Sequence, residues 1–120
     1  MSIYSSLSDA DLFTLIKESD NMAFNEAVER YNRPLLKASY GMLKYDRDKV
    51  EEPVCAAYKD LWEKRSQIDA NITLWGFLRS KFNKTAMEIM KRSKHWDDYL
   101  DILSKFLDEG PRIIQLDVSV

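Results

Sequence analysis

The chain has 120 residues, 45% hydrophobic and 32% charged, which is enough apolar material for one core and is not a disordered composition. The net charge of −2 argues against a general nucleic-acid coat, which is usually basic throughout. The single Cys55 excludes an internal disulfide, the opening MSIYSSLSDADLF lacks the basic-then-apolar run of a secretion signal, and no apolar stretch reaches the roughly 18 residues of a membrane span. A cytoplasmic protein with no membrane partner is the expectation.

Ser8 is a helix N-cap, with Asp9 and Asp11 placed to favour the positive end of the helix dipole. Leu12, Leu15 and Ile16 give this short helix one apolar face. Ser19, Asp20 and Asn21 end it and cap the next. The second helix is expected over about Met22–Leu43, with Phe24, Ala27, Val28, Tyr31, Leu35, Ala38, Met42 and Leu43 recurring at three- and four-residue steps. Pro34 sits inside that pattern and predicts a kink rather than a break. Tyr45–Asp48 form a turn.

A third helix ends near Arg65, with Val54, Ala57, Tyr58, Leu61 and Trp62 as its buried stripe and Pro53 suited to its first turn. Ser66–Thr73 (SQIDANIT) is a polar loop whose Asn71 or Thr73 caps a fourth helix. That helix lies in Leu74–Lys94, LWGFLRSKFNKTAMEIMKRSK. Leu74, Phe77, Leu78, Phe82, Ala86, Ile89 and Met90 point inward. Arg79, Lys81, Lys84, Lys91, Arg92 and Lys94 set six positive charges against one negative, Glu88. A fifth, acidic helix spans about Trp96–Leu107, with Tyr99, Leu103 and Phe106 as its apolar positions, and Gly110-Pro111 ends it. Ile114, Leu116, Val118 and Val120 then alternate as in a strand.

Charge is distributed unevenly. Residues 1–30 carry six acids and two bases, and so do residues 96–120, so the basic stretch lies between two acidic flanks. A solvated helix face accounts for such a stretch as readily as a polyanion site does.

Catalysis finds no support. His95 is the only histidine and has no cysteine near it in sequence, so neither a metal site nor a Cys–His pair is expected. Three scattered glycines make no phosphate loop. The neighbouring acids Glu51/Glu52 and Asp97/Asp98 do not share a helix face. No cofactor is expected, and the chain is read as a non-enzyme.

The order of segments is more specific than any one of them. LSDADLFTLIKESDNMAFNEAVERYNRPLLKASYGML resembles the opening of a bacterial extracytoplasmic-function sigma factor, with Leu7, Asp9, Leu12, Ala23, Phe24, Tyr31 and Leu35 on the family pattern. YKDLWEKRSQI is similar to the family's "F-x-x-L-W-x-x-R" helix end through Tyr58, Leu61, Trp62 and Arg65, in the style of the Bacteroidetes members. In WGFLRSKFNKTAMEIMKRSK, Asn83 falls on the family asparagine. The likeness covers residues 7–94.

The resemblance implies an all-α, compact bundle of four to five helices like sigma region 2, over residues 1–95, followed by an acidic helix and tail over 96–120. The family's second, helix-turn-helix domain is not in the sequence. The resemblance also implies two partners. Glu51, Glu52, Val54, Cys55 and Tyr58 would face the β′ clamp helices of core RNA polymerase. Asn71, Arg79, Lys81, Asn83, Lys84, Lys91, Arg92 and Lys94 would hold promoter DNA at the minus-ten element as its strands part. An anti-sigma factor is a third candidate partner. In this picture the cations grip phosphates, and the Asn71 amide, a donor and an acceptor together, suits a base edge.

Departures from the pattern keep a second reading open. Cys55 and Ala56 stand where the family's clamp-binding helix has a glutamine and an acid, and Met87-Glu88-Ile89-Met90 replaces "D-Y-L-R". A sigma-like helical module that binds another protein, and neither polymerase nor DNA, also fits.

Overall fold

The computed structural model describes residues 3–109, with side chains through Lys105. Among them the fold is all-helical: α1 (Asp9–Lys17), α2 (Asn21–Met42), α3 (Glu51–Lys64), α4 (Leu74–Arg92) and α5 (Trp96–Glu109), with short 3-10 turns at Ile3–Ser6 and Arg47–Lys49. The alternation noted at residues 114–120 lies outside the described residues. No described helix is long and apolar enough to cross a membrane.

Helix starts follow local chemistry. The Ser8 hydroxyl accepts a hydrogen bond from the Asp11 N–H, and the Asp20 carboxylate accepts from Met22 and Ala23. These bonds, the Ala23 one foremost, hold the Asp20 carboxyl below its usual range. Between the two helices Ser19 takes the left-handed conformation, φ 70°. Its hydroxyl accepts from Arg65 Nε at 2.8 Å, which ties the α1–α2 turn to the end of α3. Helix α2 continues through Pro34 without interruption, and Pro34 is exposed.

The main core joins the first four helices. Leu12, Ile16, Ala27, Leu35, Leu61, Leu78 and Phe82 are fully buried in it. Several residues of the expected stripes, Phe24, Val28, Tyr31 and Trp62 among them, are half-buried instead. They close the core at its rim: Phe24 packs edge-on to Trp62, and Tyr31 stacks on Trp75 at 5.0 Å. A polar cluster clamps α1 to α2. Arg30 bonds Asp9 and Glu26, and the Tyr31 hydroxyl donates to the other Asp9 oxygen. The Asp9 bond is the main reason the Arg30 guanidinium is held above its ordinary value.

A smaller core of Leu43, Val50, Ile89, Met90 and Tyr99 seats the start of α5. The boundary expected at residues 95/96 is therefore bridged. Asp46 accepts from the Ser93 hydroxyl (2.7 Å) and the Tyr99 hydroxyl (2.8 Å), and Tyr99 accepts in turn from the Tyr45 N–H. His95 stacks on Tyr45. Burial pushes the Asp46 carboxyl up, but the Ser93 and Tyr99 bonds, with Lys49 and His95, outweigh it and leave it below the usual carboxylate range. Burial first, then the bond to Asp46, pushes Tyr99 up to about 12.

The signs of the two shifts define a pH window for this latch. A depressed Asp46 stabilises the folded state above its unfolded value, about 3.9, and that contribution is lost as pH falls through the folded value. A raised Tyr99 stabilises below about pH 10, and that contribution is lost as pH rises towards 12. The Trp96 indole resonance should shift below about pH 4 and again above about pH 10 as these two contributions are lost. In Tyr99→Phe the alkaline shift should vanish while the acid one persists. An alkaline shift retained in that variant would remove Tyr99 as its origin.

Candidate nucleic-acid interface

Thr73 starts α4. Its hydroxyl accepts from the Gly76 N–H at 3.0 Å, and a Cβ at Gly76 would meet that same oxygen at 2.8 Å. The cap and the glycine are therefore one device. It brings the α4 backbone close to the loop, where any side chain would push the capping hydroxyl away. Upstream, Asp69 turns the chain, its carboxylate accepting from the Asn71 N–H at 2.8 Å. Asn71, Ile72 and Thr73 consequently stand exposed at the loop tip. The Asn71 side-chain amide has no hydrogen-bond partner among the described residues.

Two clefts flank this tip. One, about 450 Å³, is lined by Asn71, Ile72, Thr73, Gly76, Phe77 and Lys81, with Ser80. The other, about 640 Å³, runs between the tip and α1, past Asp9, Phe13, Lys17 and Trp75. The Lys81 ammonium lies 5.5 Å from the Phe77 ring centre, and that ring is 7% exposed, so Phe77 anchors Lys81 from within the core.

From Lys81 the charge continues along α4. At the helical turn of about 100° per residue, Lys84 and Lys91 fall opposite the buried Leu78, Phe82 and Ile89, with Lys81 and Arg92 to one side of them. Lys84, Lys91, Arg92 and Lys94 are exposed, and none forms an ion pair among the described residues. Asp97, Asp98 and Asp101 of α5 leave them uncovered. Lys81 to Lys91 spans roughly 15 Å of helix axis.

Two residues expected on this ridge lie elsewhere. Arg79 projects about 140° away from Lys84 around the helix. Its guanidinium lies 5.9 Å from the Trp75 ring centre, and its Nε donates to Asn83 Oδ1 at 3.4 Å. Asn83 is half-buried, and its Nδ2 has no hydrogen-bond partner among the described residues. The eight residues thus divide. Asn71, Lys81, Lys84, Lys91, Arg92 and Lys94 lie to one side, with the exposed Glu88 among them, while Arg79 and Asn83 occupy the opposite shoulder of α4. The basic composition did not separate them because charge says nothing of angle; the helical period does.

The α3 residues also divide. Val54 and Tyr58 are core residues, 3% and 9% exposed, and so supply scaffold rather than contact surface. The Tyr58 hydroxyl donates to the Val28 carbonyl, and burial pushes its pKa up to about 12. Glu51, Glu52 and Cys55 are exposed, and Lys59, which the sequence reading did not single out, extends their stripe one turn further. The four-residue step from Cys55 to Lys59 was the available signal.

No group of His, Cys, Asp and Glu suited to a metal ion occurs among the described residues. No family model, curated protein or solved structure matches the chain.

Proposed function

We propose that this domain binds single-stranded DNA through the α4 ridge and the Asn71–Lys81 cleft, and core RNA polymerase through the exposed stripe of α3, as a sigma region 2 does. The observation that carries the DNA half is the junction at Lys81. There a row of cations that form no ion pair among the described residues runs into a cleft whose lip carries the exposed Asn71 amide. Strand capture needs that combination: phosphates are held along the ridge while one unstacked base enters the cleft and meets the Asn71 amide. The ordered likeness of residues 7–94 to the sigma family supplies the polymerase half. No bond is made or broken in this function, so no catalytic residue or cofactor is assigned.

The test is fluorescence anisotropy with a labelled single-stranded 12-mer across a salt series. Lys91→Glu with Arg92→Glu should weaken binding at least tenfold. It should also flatten the slope of log K against log salt by about 1.4, at ~0.7 per lost single-strand phosphate contact. Binding unchanged by that double reversal would sink the DNA half. For the polymerase half, Glu51→Lys with Glu52→Lys should abolish co-sedimentation with core polymerase.

One observation favours the alternative of a protein-binding module without polymerase or DNA. Burial of Val54 and Tyr58 reduces the α3 contact surface to charges and Cys55. Wild-type protein that binds neither core polymerase nor the 12-mer would establish that reading in place of ours.

A further inference from the structure

Helix α5 carries more apolar surface than the bundle covers. Among its described side chains, Tyr99 alone is fully seated, at 2% exposure. By the helical period Leu100 lies about 100° round the helix from Tyr99, and Trp96, Leu100 and Leu103 form one row at i, i+4 and i+7. Leu100 is 40% exposed, while Trp96 and Leu103 are half-buried. Trp96 packs with one side against the smaller core, while Leu100 and Leu103 belong to neither core cluster among the described residues.

The border of this row is acidic. Asp97 and Asp101, one turn apart, flank it on the outer side, are exposed, and form no ion pair among the described residues. The whole helix has five acids against one base. A row of three apolar residues at this spacing is the footprint of a packed helix, and the carboxylates beside it select the charge of that helix.

We propose that the Trp96–Leu100–Leu103 row of α5 is a docking face for a cationic amphipathic helix of another protein. Apolar residues of the partner at matching spacing would cover Leu100, and lysines or arginines on its flank would pair with Asp97 and Asp101. The second copy of this chain is the weaker candidate. In an α5–α5 pair the Asp97 and Asp101 carboxylates border both sides of the contact, and Lys105 projects away from it.

The probe is an 18-residue peptide of leucine and lysine in amphipathic helical pattern, titrated into the full chain by calorimetry. A leucine–glutamate peptide of the same pattern serves as control. The lysine peptide should bind at least tenfold more tightly than the control. Asp97→Lys with Asp101→Lys should remove that preference. Leu100→Glu should weaken binding of the lysine peptide tenfold or more even though it adds a negative charge; diffuse attraction to an acidic protein would instead strengthen it. Stronger or unchanged binding in Leu100→Glu overturns the proposal. So does a wild-type dimer in sedimentation that Leu100→Glu dissociates. So does binding that appears only after residues 110–120 are deleted, since that segment would then be the occupant. Circular dichroism of Leu100→Glu confirms that the bundle is retained, as expected for a surface position.

Discussion

Phe82→Ala is expected to cost about 3–5 kcal/mol of unfolding free energy, the usual penalty for emptying a fully buried phenylalanine site. Phe82 is fully buried on α4, in a core built from all of the first four helices. Neighbours on four separate helices cannot all close on the space left behind, so little of the cavity is recovered. With total stabilities of about 5–15 kcal/mol typical of domains, such a loss consumes much of the margin. Urea denaturation should show a lower midpoint at unchanged slope. The consequence extends to function, because the residues that bury one side of α4 also orient Lys84 and Lys91 on the other. A loss below about 1 kcal/mol would mean that Phe82 is not in a close-packed site.

Pro34→Ala is expected to act in the opposite direction, raising stability by about 2 kcal/mol. Proline in a helix interior is disfavoured by ~3 kcal/mol relative to alanine, because it lacks the N–H and its ring crowds the preceding turn. Pro34 lies well inside α2, and alanine restores a donor to the Arg30 carbonyl. Alanine also loosens the unfolded chain, which offsets ~0.4–1 kcal/mol of that gain. Asn32, Arg33 and Pro34 are all exposed, so the change disturbs no packing. For a domain of this size the melting temperature should rise by roughly 6–12 °C. A fall would mean that the proline sets the path of α2 on which the buried Leu35 depends.

The helices themselves were legible because their signals are local. Ser8, Asp20 and Thr73 cap the helices that the apolar period places after them, and each cap closes in the structure. Helix α5 was expected to span to about Leu107, ahead of the Gly110-Pro111 stop, and runs to Glu109, an ordinary difference at a helix terminus. The latch at Asp46 was not legible. Its partners Ser93 and Tyr99 lie 47 and 53 residues away, and no periodicity connects a turn aspartate to a tyrosine on another helix.

The same division runs through the candidate site. Sequence by itself determined the class, a helical bundle, and the concentration of positive charge between Arg79 and Lys94, since composition and a 3.6-residue period are properties of a single strand of chain. Tertiary structure alone decided which of those charges act together. Packing Leu78, Phe82 and Ile89 against the other helices fixes the rotation of α4 about its axis. That rotation sends Lys84 and Lys91 to solvent, and it sets Lys81 beside the loop that carries Asn71. Val54 and Tyr58 are buried as the apolar period of the third helix placed them, and only the contact role implied by the family likeness falls away, because a side chain closed over by other helices presents no surface.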